Sequence, residues 1–188
     1  MPSIIRVVAP LLVVVDMQRV FADRASPWAV PAFDAIVPDV ERLVGAFEDR
    51  TVYTRFVPPA DPPAGSWADY YALYPFFLEA EAAPLVELVP TFALRARATL
   101  DVATFTKHGA RLEALAGPDR TIVLCGVTTE CCVLATALDA ADAGMHVRVV
   151  EDACTGVTPE LHEGALVVLA GYEGHVALTT VDEELAAS

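Results

Sequence analysis

The sequence predicts an α/β protein, a three-layer α/β/α sandwich built on a mostly parallel sheet of about six strands. Two observations predict it. The short apolar runs are continuous rather than alternating, as in strands buried on both faces of a parallel sheet. Helical patterns fill the gaps between them, so strand and helix alternate along the chain, which implies right-handed crossovers.

Taken in order, the strand candidates are Leu11 to Val15, Thr51 to Phe56, Ala103 to Thr106, Thr121 to Cys125, His146 to Val150 and His175 to Thr180. The helical stretches are Val37 to Asp49, Arg111 to Leu115, Cys132 to Ala143 and Glu160 to Ala170. Gly144 falls just past the third helix, a common C-terminal stop. Thr158 and Pro159 open the fourth as a cap and a first helical residue. Residues 58–66 form a proline-rich loop, and the aromatic segment Trp67 to Phe77 that follows suits either a lid over the strand ends or rings buried in the core or in a subunit interface. The pattern from Ala80 to Leu100 is ambiguous. With no internal repeat and no dividing linker, residues 1–188 read as one domain around a Rossmann-like sheet.

Composition narrows the partners. A formal charge of −14 argues against nucleic acid, whose phosphates need clustered Lys and Arg. It fits a solubilising acidic surface, and could steer a cationic substrate. More than half of the residues are hydrophobic, which excludes disorder, yet no apolar stretch reaches the roughly 20 residues of a membrane span. The opening from Met1 to Arg6 does not read as a signal peptide, so a cytoplasmic location is expected.

Three positions stand out at strand ends, where ligands of such sheets bind. Asp16 directly follows the first apolar run, and a partly desolvated carboxylate there suits a general base as well as a turn cap. Lys107, the single lysine of the chain, follows Thr106 and could lower a thiol pKa or offset developing charge; a solvated surface residue is its plainer reading. The turn from Val127 to Cys132 sets a thiol at the first turn of a helix, where free N–H groups and the dipole favour a thiolate. Cys131 and Cys132 compete for that role, since neighbours point about 100° apart on a helix and at most one can face the site. Cys125 reads as core, and Cys154 has no evident partner. Neither the vicinal cysteines nor the four histidines show metal-ligand spacing, so no metal or other cofactor is expected.

These residues together resemble the isochorismatase-like cysteine hydrolase superfamily. The resemblance rests on Leu12 to Gln18 with Phe21, on Thr106-Lys107, on Gly126 to Val133 with Ala135 to Ala137, and on Val149 to Cys154. It implies a triad of Asp16, Lys107 and Cys132, the cysteine directly before the valine being the nucleophile. It further implies a cis peptide between Val127 and Thr128 and an oxyanion hole formed by the N–H groups of Thr128 and Cys132. The histidine-bearing metal motif of nicotinamidases is missing after the second strand, where the sequence runs Arg55 to Pro63 without histidine. A metal-independent hydrolase of small-molecule C–N bonds is therefore the expected function. Phe21, Trp67 and Tyr71 are the expected pocket wall, and a homo-oligomer, dimer or tetramer, is expected. Vinyl-ether hydrolysis of the isochorismatase type and a non-catalytic binding protein on the same fold are the alternatives.

Overall fold

The structure, a computed structural model, describes residues 10–97 and 99–187, so the opening segment from Met1 to Arg6 lies outside the described residues. Six parallel strands form one sheet in the order β3-β2-β1-β4-β5-β6. They are β1 (Leu11–Val15), β2 (Thr51–Phe56), β3 (Thr99–Val102), β4 (Thr121–Val127), β5 (His146–Thr155) and β6 (Val176–Thr179). The helices are α1 (Phe33–Phe47), α2 (Ser66–Leu73), α3 (Ala110–Ala116), α4 (Leu134–Asp142), α5 (Pro159–Ala170) and α6 (Val181–Ala187), with several single helical turns between them.

The side-chain period of a strand, two residues, explains the layering. Leu12 and Val14 face a core that includes Phe33, Val40, Leu43 and Phe47 of α1. Leu11, Val13 and Val15 face the opposite core with Leu112 of α3, Val133, Ala137 and Ala140 at α4, and Leu169 of α5. All five β1 side chains are at most 3% exposed. Fully burying a Val or Leu side chain is worth about 1.5–3 kcal/mol, so a continuous apolar run is what a central strand demands.

The third strand differs from its expected place. Ala103 to Thr106 is not a strand; β3 lies at Thr99–Val102 and pairs with β2 as an edge. Its pattern hides it, because Asp101 is exposed and joined to Arg55 of β2 by an ion pair of 2.7 Å, leaving Leu100 as its buried side chain. β5 runs past its expected end at Val150 to Thr155, and its register against β4 shifts between Leu124 and Gly126. α1 starts a turn before Val37 and carries Pro38 in its interior, where a proline removes one main-chain bond and crowds the carbonyl four residues back. α4 is preceded by a π-helical turn, Thr129–Val133, so Cys132 sits in that wider turn rather than at an α-helical start. No helix among the described residues is long and apolar enough to cross a membrane.

Strand order reverses between β1 and β4, the crevice where open α/β sheets bind ligands. There Gly126 (φ 110°) pairs with Val15, and a Cβ at that position would collide with the Val15 carbonyl oxygen and stand 2.9 Å from the Val15 nitrogen. Gly126→Ala should therefore destabilise the fold by about 3 kcal/mol, the upper part of the usual range, read as a lowered urea midpoint.

Candidate active site

The crevice brings together three of the residues singled out above. Lys107 Nζ lies 2.8 Å from Asp16 Oδ2, with both side chains fully buried. The contact is an ion pair rather than an aligned hydrogen bond, since Oδ2 accepts no hydrogen bond of good geometry. Buried charges need further partners to persist. The Thr54 hydroxyl donates to Asp16 Oδ1 at 2.6 Å and accepts from the Asp16 N–H at 3.1 Å. Lys107 Nζ donates to the Thr104 carbonyl at 3.1 Å and stands 5.0 Å from the Phe56 ring centroid. The Lys107 N–H donates to the Thr136 hydroxyl (2.9 Å), which donates in turn to the Cys132 carbonyl (2.6 Å). The ammonium loop and the cysteine turn are thereby tied through one hydroxyl.

Asp16 itself has φ 50°, uncommon for a residue with a side chain. Gln18, two residues on, holds that turn against the end of β2. Its amide nitrogen donates to the Phe56 carbonyl (2.9 Å) and its oxygen accepts from the Phe56 N–H (2.8 Å), extending the sheet by a side chain. On the other strand the Val127–Thr128 peptide is cis, as the resemblance implies. Thr129 bonds His162 of α5 (2.8 Å), and Glu130 accepts from the Val157 N–H (3.0 Å). Both contacts pin the turn that carries the thiols.

The two vicinal cysteines are not equivalent. Cys132 is buried and feels the charges of Asp16 and Lys107, whereas Cys131 is half-buried and senses Thr128 and Glu130 instead. The expected low thiol pKa is corrected here. Burial pushes the Cys132 thiol well above its ordinary range, the negative charge of Asp16 pushes it further, and the Lys107 ammonium only partly opposes them. A helix end contributes about 0.3–1 kcal/mol, while full burial shifts a group by up to about 3–5 pKa units, so desolvation wins. The thiol rests protonated under the influence of the Asp16 carboxylate. Cys125 and Cys154 are both buried, as read for Cys125, and burial raises both.

Above the thiol lies a cavity of about 240 Å³. Its walls are Phe21, Trp28, Phe56, Tyr70, Tyr74 and Phe105, and its floor holds Thr128, Cys131 and Cys132. Phe21 is where the sequence expects it. Trp67 and Tyr71 are not on the wall: Tyr71 is buried, and Trp67 packs behind Phe105 with ring centroids 4.9 Å apart. The reason is helical rotation. Trp67 and Tyr71 share one stripe of α2, Tyr70 and Tyr74 the next, about 100° round, and the second stripe meets the cavity. Trp28 had no motif to mark it, yet six rings lie 4.5–6.3 Å from it, among them Phe77 at 4.5 Å and Phe21 at 6.3 Å. It locks the aromatic segment over the strand ends.

The sequence matches the Isochorismatase domain over residues 10–182, and the chain belongs to that family. A 36-residue stretch is 58% identical to "Isochorismatase domain-containing protein 2" of Bos taurus, covering 19% of this chain and 18% of that protein. The match thus spans under a fifth of that curated relative's length. A cysteine hydrolase from Pseudomonas syringae pv. phaseolicola 1448A superposes with a TM-score of 0.79 at 22% identity, over 94% of this chain and 90% of that one. The pyrazinamidase of Pyrococcus horikoshii, solved in complex with zinc, gives 0.70 at 26% identity over 90% and 98%. Zinc does not fit here: among the described residues no group of three His, Cys, Asp or Glu side chains could hold a metal ion.

Two outcomes follow from these electrostatics. Lys107→Met should cost about 3–5 kcal/mol by stranding a buried carboxylate, and adding Asp16→Asn should restore part of it, both read by chemical denaturation. All four thiols are raised in the folded state, so folding favours their protonated form. That contribution is full below the unfolded thiol pKa of about 8.5 and is lost as pH rises above it, by up to about 1.4 kcal/mol per thiol per pH unit. Urea midpoints should fall steadily above that pH, while no thiolate absorbance develops in the folded protein near neutrality.

Proposed function

We propose that this isochorismatase-family protein hydrolyses an amide-type C–N bond of a small molecule through a thioester on Cys132. The observation that carries the reading is a buried, salt-bridged carboxylate whose charge acts on a buried, protonated thiol at the floor of a cavity. A thiol raised by burial is a poor nucleophile at rest, and a base in contact removes that handicap at the moment of attack.

In this mechanism the Cys132 proton passes to Asp16 as Sγ attacks the amide carbonyl carbon. The carbonyl oxygen becomes an oxyanion, received by the N–H groups of Thr128 and Cys132. Lys107 offsets the charge that moves between Sγ and the carboxylate. Collapse breaks the C–N bond, the amine leaves with the proton held by Asp16, and the acyl group remains as a thioester. A water molecule then gives a proton to Asp16 and attacks the thioester carbon. Release of the carboxylic acid restores the thiol. Vinyl-ether hydrolysis would leave Cys132 without a role, whereas amide cleavage uses every member of the cluster. The similarity to a pyrazinamidase favours the same bond type.

Cys132→Ala should abolish ammonia or amine release across a panel of amides, cyclic amides and ureides, and Cys131→Ala should retain it within a few-fold. Asp16→Asn should lower kcat/KM by about 10²–10⁴, the usual worth of a positioned base. Pyruvate released from isochorismate, or activity that survives in Cys132→Ala, would refute the amide mechanism.

A further inference from the structure

Resting on that reading, we infer that His108 is a positioning residue: its imidazolium, clasped between Glu113 and Asp139, holds Lys107 in register with Asp16 and Cys132. The ring lies between carboxylates from two helices. Its Nε2 is 3.0 Å from Glu113 Oε1 on α3, and its Nδ1 is 3.4 Å from Asp139 Oδ2 on α4. Either neutral tautomer has one N–H and one lone pair, and would turn that lone pair on a carboxylate. Only the imidazolium presents a proton to both. The side chain is 12% exposed, so water has little access to mediate either contact. The surrounding charges agree. Two carboxylates face one further cation, Arg120, whose guanidinium stands 3.5 Å from Glu113 Oε1, while the Lys107 ammonium is engaged with Asp16. Glu113 is held below the usual carboxylate range, first by its hydrogen bond with His108 and then by Arg120.

The clasp reaches Lys107 through the main chain. Asp139 Oδ2 also accepts from the Thr106 hydroxyl at 2.9 Å, and the His108 N–H donates to that hydroxyl at 3.1 Å. Between them the Lys107 N–H donates to the Thr136 hydroxyl, which donates to the Cys132 carbonyl. Residues 106–108 are thus bound along α4, the helix that continues from the Cys132 turn, and Glu113 ties the same ring to α3. The sign of the pH effect follows from the geometry. The clasp is complete while the ring is charged. As pH rises through the ring's ionisation one N–H is lost, a lone pair meets a carboxylate, and the segment loosens from α4. Lys107 then offsets the charge moving between Cys132 and Asp16 less well, and proton transfer from the thiol slows.

Modification of Cys132 by methyl methanethiosulfonate tests the clasp without relying on hydrolysis, since it too requires the thiol proton to leave. Rates are followed from about pH 5 to about pH 9 in Cys131→Ala protein and in the same protein carrying His108→Gln. With His108 present the rate should be about fivefold higher at the acid end, the upper worth of a partly exposed ion pair, and the two rates should converge as pH rises. Histidine ring nitrogen NMR spectra of the full chain should show both His108 nitrogens protonated wherever the rates differ. Asp139→Asn should bring the loss of one proton to lower pH, and it carries the test if His108→Gln does not fold. A rate ratio equal at every pH would make His108 merely structural and overturn the inference, as would a ring with one N–H where the rates differ. A pH-dependent ratio in a protein that releases ammonia or amine from no amide would sustain the clasp and sink amide hydrolysis. Hydrolysis with a pH-independent ratio would do the reverse.

Discussion

The buried pair of Asp16 and Lys107 is the constraint on which the rest of the site depends. Removing two charges from water costs several kcal/mol per ion, and their mutual attraction repays this only with good geometry and extra hydrogen bonds. The fold supplies those partners from two separate places, the Thr54 hydroxyl on β2 and the Thr104 carbonyl beyond β3, while the Thr136 hydroxyl on α4 holds the Lys107 main chain. A chain with a single lysine has placed it fully out of solvent. Well-packed apolar residues would stabilise the same space as well or better, and the proposed reaction gives the pair a role that packing alone does not.

That pair also decides how the thiol must work. Proximity to a helix start suggests a resting thiolate, but the magnitudes point the other way once burial is known. The apolar wall that excludes water raises the thiol, and the adjacent carboxylate raises it again. In the proposed reaction attack is therefore coupled to proton transfer, and Asp16, whose charge the thiol feels, is the group assigned to accept the proton. The π-turn matters in the same sense, because it sets where Cys132 falls relative to Cys131, and only Cys132 feels the charge of the acid.

How much of this was legible in the sequence follows from what each residue is asked to do. β1 and β4 announce themselves because central strands must be apolar on both faces, and the residues directly after them had to meet at the switch between the two. β3 did not, since an edge strand can expose Asp101 to an arginine and still pair. The supports of the triad were hidden for a different reason. Thr54 lies 38 residues from Asp16, and a threonine in a strand carries no sign that its hydroxyl is spoken for. The helical stripe of Tyr70 and Tyr74 was within reach, but choosing it over the Trp67–Tyr71 stripe needs the rotation of α2, which only packing against Phe105 and Trp28 fixes.

The division between sheet and loops explains why the chemistry and the substrate are encoded so differently. The separation between acid and thiol is set by main-chain geometry: the register of Val15 on Gly126, a glycine too close to its neighbour for any side chain, and the turn at Asp16. Such a frame tolerates wide sequence change, provided the pairing and that glycine persist. The cavity walls arise elsewhere, from the loop that carries Trp28 and the segment that carries Tyr70 and Tyr74. Neither forms part of the sheet, so their side chains can be exchanged without moving Asp16 against Cys132. A substrate preference written in those loops would therefore be a property of this chain, while the placing of Asp16 against Cys132 rests on the sheet beneath it.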